Sequence, residues 1–109
     1  MRDATVRIDR LMDMASMVLD ARSQALRAEN AKLDALSRQL AALEAKPVET
    51  EASWSATDRS TFAYEQWATR RRAEINLQLA AQRARCLEAE AEARLAFGRK
   101  AALGRIKGE

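Results

Sequence analysis

Met12, Leu19, Leu26, Leu33 and Leu40 recur every seven residues, and a second column carries Ile8, Ala15, Leu36 and Leu43, interrupted by Arg22 and Glu29. Apolar positions at alternating three- and four-residue steps form the seam of a supercoiling helix, because a 3.5-residue repeat keeps one stripe facing its partner. The pattern predicts a first helix over about residues 4–45. Lys46-Pro47 closes it: Pro47 has no amide hydrogen to donate and disfavours helical backbone at Lys46. Residues 46–55 read as a connector, with Ser55 as the cap of the next helix, Asp58 acting on the exposed amides, and Ser53 as the competing cap.

The second helix is predicted over about residues 56–103, ahead of a frayed basic tail at 104–109 signalled by Gly104 and Gly108. A projection at about 100° per residue separates its apolar side chains into two stripes. One holds Tyr64, Trp67, Ala68, Ile75, Leu79, Cys86, Ala89, Ala93, Ala96, Phe97 and Leu103, and the other holds Phe62, Ala73, Leu77, Ala80, Ala84, Leu87, Ala91, Leu95 and Ala102. Arg72 falls on a polar flank between them. A connector this short lets the helices fold back on each other, so the expected fold is all-α, an antiparallel two-helix coiled-coil hairpin in a single domain. The longer second helix is expected to overshoot the first at its basic C-terminal end. One continuous rod broken at Pro47 is the alternative.

A simple hairpin uses one apolar stripe per helix. Alanine on the second stripe needs no explanation beyond helix propensity, but Leu77, Leu87 and Leu95 each leave leucine-sized area in water unless something covers it. This second apolar face is a candidate surface for another protein or a second copy of the chain. Trp54, Phe62, Tyr64 and Trp67 gather at the connector and the first turns of the second helix. They either plug the open end of the hairpin or form a binding tip, with Arg70, Arg71 and Arg72 as its polar rim.

With 109 residues the chain holds one domain at most, and its net charge of +3 is unevenly spread. Residues 47–69 carry −3 and residues 70–109 carry +5. Arg94, Arg99, Lys100, Arg105 and Lys107 make a basic end. It reads as a solvated helix terminus suited to the macrodipole, a protein contact, or more remotely a site for nucleic acid or lipid. That end carries a single aromatic, Phe97, and lacks the set of stacking groups and the surplus charge usual in nucleic-acid binders. With no histidine and the single Cys86, no imidazole or paired-thiolate metal site is available and no cofactor is expected. There is no glycine-rich phosphate loop and no base beside Cys86, so the reading is not an enzyme. No transmembrane or signal segment is evident, and a cytoplasmic location is expected.

The segment RLAFGRKAALGRI at residues 94–106 and the run FAYEQWATRRRAEI at 62–75 resemble the FliJ/YscO proteins of flagellar and injectisome type III secretion. The resemblance implies a central stalk whose paired ends enter the ring of the export ATPase, promoting ring assembly and coupling ATP hydrolysis to export. It implies an export-gate protein in the inner membrane as a second partner, and export chaperones as further ones. On that analogy Arg94, Arg99, Lys100 and Arg105 lie on the ATPase side, while Phe62, Tyr64, Trp67 and Arg71 lie toward the gate, and no catalytic residue is implied. The competing expectation, of a different class, is a self-associating structural coiled coil or adaptor.

Overall fold

The computed structural model describes residues 2–45 and 54–108, with side chains from residue 59 onward in the second helix. Helix α1 spans Arg2–Glu44 and α2 spans Trp54–Gly108, and the described residues contain no strand. The two helices pair antiparallel, so the fold is the all-α helical hairpin expected from two long helices and a short connector, and not the broken rod. Two compact units make it up: Met1–Ala31 with Ala84–Glu109, and Lys32–Arg83.

In the first unit, Asp9 accepts a charge-assisted hydrogen bond from Lys107, and Arg22 reaches Glu92 at 2.8 Å. Advancing along α1 thus means receding along α2. Ile8, Met12, Ala15, Leu19, Ser23 and Leu26 are half-buried on α1, against a run on α2 of Cys86, Ala89, Ala93, Lys100 and Leu103 around the buried Ala96. Alanine at so many seam positions permits close approach of the backbones and limits the area each residue removes from water. Arg22, which interrupts the apolar column, is exposed and reaches sideways to its ion pair, while the small Ser23 takes the inward position.

The second unit holds most of the fully enclosed side chains. Leu33, Leu36, Leu40 and Leu43 line α1, and Ala68, Ile75, Leu79 and Gln82 of α2 are buried, Ile75 at 1% exposure. No residue of α1 reaches full burial. That follows from a core only one helix deep, in which every inward side chain still has an edge in water.

Four expectations need correction. The seam of α2 is Ala68, Arg72, Ile75, Leu79, Gln82, Cys86, Ala89, Ala93, Ala96, Lys100 and Leu103, so it carries three polar residues, while Tyr64, Trp67 and Phe97 stand on its flanks at 43%, 53% and 64% exposure. A strict three-four step from Ile75 admits Arg72, Gln82 and Lys100 whatever their polarity, and leaves Trp67 and Phe97 one position off the stripe. Second, α2 continues to Gly108 instead of fraying at Gly104; none of the described glycines has positive φ, and Arg105 and Lys107 in the last turn complement the helix dipole. Third, the pairing of Lys107 with Asp9 sets the C-terminal turn beside α1, so no free basic overhang projects there. Within the second unit the surplus turns of α2 lie ahead of Ala68, where residues 59–67 are all exposed because α1 stops at Glu44. Fourth, α2 opens at Trp54, so Ser55 sits inside its first turn and does not cap it. Ser53 and the rest of the expected connector ahead of Trp54, residues 46–53, lie outside the described residues.

Three substitutions check this packing. Ile75→Ala should cost about 2–4 kcal/mol in denaturant unfolding, whereas Leu77→Ala, two residues away but 74% exposed, should change stability by no more than about 0.5 kcal/mol. Gly98 has open space where a Cβ would stand, so Gly98→Ala should stabilise by about 1 kcal/mol and raise the midpoint of thermal unfolding.

Candidate functional site

In the second unit, Tyr64, Trp67 and Arg71 follow one another at three- and four-residue steps and share one flank of α2. The Tyr64 and Trp67 rings lie 5.8 Å apart at 40°, a tilted aromatic pair. Arg71 donates to Glu74 at 3.0 Å and across the hairpin to Gln39 at 3.2 Å, which fixes its guanidinium beside the rings' helix face without burying it. Phe62, 65% exposed, projects from the opposite flank, so the structure gathers three of the four expected tip residues and separates the fourth. Near that opposite flank, Glu65, Gln66, Thr69 and Arg70 line a shallow depression of about 310 Å³ built entirely from α2. The exposure of Phe62 and Trp67 argues against their serving as a hydrophobic plug. The side chain of Trp54 lies outside the described residues.

The basic residues of the first unit do not form a single patch. Arg94 pairs with Glu90 on its own helix, one turn earlier. Lys100 occupies a seam position, half-buried, with its stem along the apolar stripe. Projection places Arg99 on the flank that carries Glu92, and Arg105 near the back of the helix. The four residues expected on one side are therefore distributed around α2. The cross-helix ion pair of Lys107 with Asp9 was not anticipated, and no spacing rule within one helix could have found it.

Apolar exposure is the most distinctive property of this unit. Among the described residues, Val6, Leu11, Met14, Met17, Val18, Leu87, Leu95, Phe97 and Ile106 are large apolar side chains at 44–70% exposure, and all nine belong to it. Leu87 and Leu95, expected on the second apolar face, are 67% and 54% exposed; Leu77, the third, is 74% exposed in the other unit. The α1 contribution, Leu11, Met14, Met17 and Val18, was overlooked because those residues fall between the two heptad columns that dominate the helix. Among the described residues no cluster of acidic, cysteine or histidine side chains could hold a metal ion, and neither helix is long and apolar enough to cross a membrane.

No family model, curated protein or solved structure matches this chain. The site therefore has to be judged on its own geometry.

Arg71 is held only by exposed polar contacts, which contribute little. Arg71→Ala should lower stability by less than about 1 kcal/mol in thermal unfolding, leaving the hairpin intact for binding measurements at the tip.

Proposed function

We propose that this chain is a non-catalytic stalk of a type III protein-export ATPase, with the unit that holds both chain termini as the part enclosed by the ATPase ring. The observation that carries the reading is the all-round apolar exposure of that unit. Helical projection puts Val6 and Met17 on the back of α1, Leu87 on the back of α2, Phe97 on one flank, and Leu11, Met14, Val18 and Leu95 on the other. A helix pair that docks on a flat surface needs one apolar face. A pair surrounded by protein needs them on every side, as a stalk within a ring does. The basic residues Arg94, Arg99 and Arg105 are likewise spread around α2, which suits contacts with several subunits.

The resemblance of residues 94–106 and 62–75 to FliJ/YscO proteins supports the same reading and supplies the partners: the export ATPase at this end, and the export-gate protein at the flank of Tyr64, Trp67 and Arg71. In this reading the protein works in the cytoplasm, brought to the inner membrane by its partners. The stalk performs no bond chemistry. It contributes by binding the assembled ring better than separate subunits, which shifts the ATPase toward the hexamer by mass action.

Adding the purified chain to a type III export ATPase should increase hydrolysis and the hexameric fraction seen by light scattering. Met17→Glu and Leu87→Glu, at exposed positions on the two backs, should each raise the half-maximal concentration by about tenfold with the helical circular dichroism unchanged. An ATPase indifferent to the protein in both assays defeats the proposal.

A further inference from the structure

One flank of the first unit gathers five of its nine large exposed apolar side chains, contributed by both helices. The Arg22–Glu92 ion pair marks it, since its two partners project from α1 and α2 on the same side of the seam. Projection from that marker brings Leu11, Met14 and Val18 of α1 to the same flank as Leu95 and Ile106 of α2. Their exposures run from 44% to 61%, so together they present on the order of 500 Å² of apolar surface, large for a patch on a monomer. Ala21 and Ala25 of α1 and Ala102 of α2 continue the same flank. They bring the face to on the order of 600 Å², approaching the roughly 800 Å² that each side contributes to a stable interface.

The layout of this face is polar along its length in two respects. Bulky side chains occupy the end nearer the chain termini (Leu11, Met14, Ile106), and on α1 alanines occupy the other end (Ala21, Ala25). Charge runs in parallel: on α2 the segment 85–92 carries Arg85 against Glu88, Glu90 and Glu92, whereas 94–107 carries Arg94, Arg99, Lys100, Arg105 and Lys107 and no acid. Of these, Arg85, Glu88, Glu92 and Arg99 project to the flank in question.

We propose that a second copy of this chain covers this flank, antiparallel, about a two-fold axis passing near Leu95 and Val18. Such an axis lays α1 on α1 and α2 on α2, completing a four-helix arrangement. Leu11 and Met14 of each copy then settle over Ala25 and Ala21 of the other, while Ile106 packs along the aliphatic stem of Arg85. Arg99 of each copy comes beside Glu88 and Glu92 of the other, and Leu95 meets its own symmetry mate. The parallel alternative stacks all the bulky residues at one end and all the alanines at the other, so the faces could not close evenly.

The inference does not rest on the export-ATPase reading. If both hold, the free protein covers with itself one of the flanks that the ring would cover, and ring entry requires the pair to part.

Light scattering on the full-length chain at tens of micromolar should give twice the monomer mass. Leu95→Arg, at an exposed position that leaves the fold intact by circular dichroism, should raise the dimer dissociation constant at least about tenfold. Arg99→Glu should weaken the dimer by a similar factor, and Glu88→Arg combined with Arg99→Glu should restore it, because the swap re-forms the pair across the axis. In a Cys86→Ala background, Leu95→Cys should form an intermolecular disulfide under mild oxidation with diamide, while Leu87→Cys on the back of α2 should not. A strictly monomeric chain overturns the proposal. So does a dimer that tolerates Leu95→Arg, or one in which Leu95→Cys fails to cross-link, since the parallel arrangement sets each Leu95 against α1 of the other copy and away from its symmetry mate. These measurements use the purified chain alone, so their failure is separable from failure of ATPase stimulation.

Discussion

A hairpin of two helices has a single seam, and that limit governs the rest of this molecule. Each helix can hide only about one stripe, so total burial is set by the size of the side chains along one line. Ala89, Ala93 and Ala96 on α2 make that line thin in the first unit, while Ile75 and Leu79 thicken it in the second. Every apolar residue off the line remains in water, and the chain carries many of them.

The seam also carries polar residues that a core selected for stability alone would exclude. Gln82 is buried at 3% exposure and has its polar contacts, and Arg72 is half-buried with an Nε atom that meets no hydrogen-bond partner. Buried polar groups in coiled coils narrow the set of acceptable registers, since a slipped pairing strands them without partners. The register seen here, with Lys107 beside Asp9 and Arg71 beside Gln39, leaves the turns ahead of Ala68 unaccompanied. The exposure of Phe62, Tyr64 and Trp67 is thus a consequence of where α1 ends and of the register the seam selects.

The two candidate surfaces follow from the same economy of burial. The flank of Tyr64, Trp67 and Arg71 is an aromatic anchor with a polar neighbour on turns that lie beyond the end of α1, a composition typical of energetically dominant interface residues. The first unit instead shows apolar side chains on all its sides, which suits enclosure by several surfaces, one of them formed jointly by both helices. A molecule built this way gains stability by being covered, so binding and folding free energies are linked.

The seven-residue spacing of Met12, Leu19, Leu26, Leu33 and Leu40 was enough to determine α1, because one helix's inward stripe is written in a single local period. Pro47 likewise marked the end of that helix, and Leu77, Leu87 and Leu95 were recognisable as residues with no place in a two-helix seam. The inward positions of Gln82, Arg72 and Lys100 were harder to read, since hydrophobicity alone assigns polar residues to the surface while the three-four step assigns these to the core. Which end of α2 overhangs, and that Lys107 meets Asp9 and Arg22 meets Glu92, depended on tertiary pairing. Cross-helix register is a sum over all seam layers and has no local signature. The same holds for the flank shared by Leu11, Met14, Val18 and Leu95: each helix shows its own residues, but only antiparallel pairing brings the two sets onto one face.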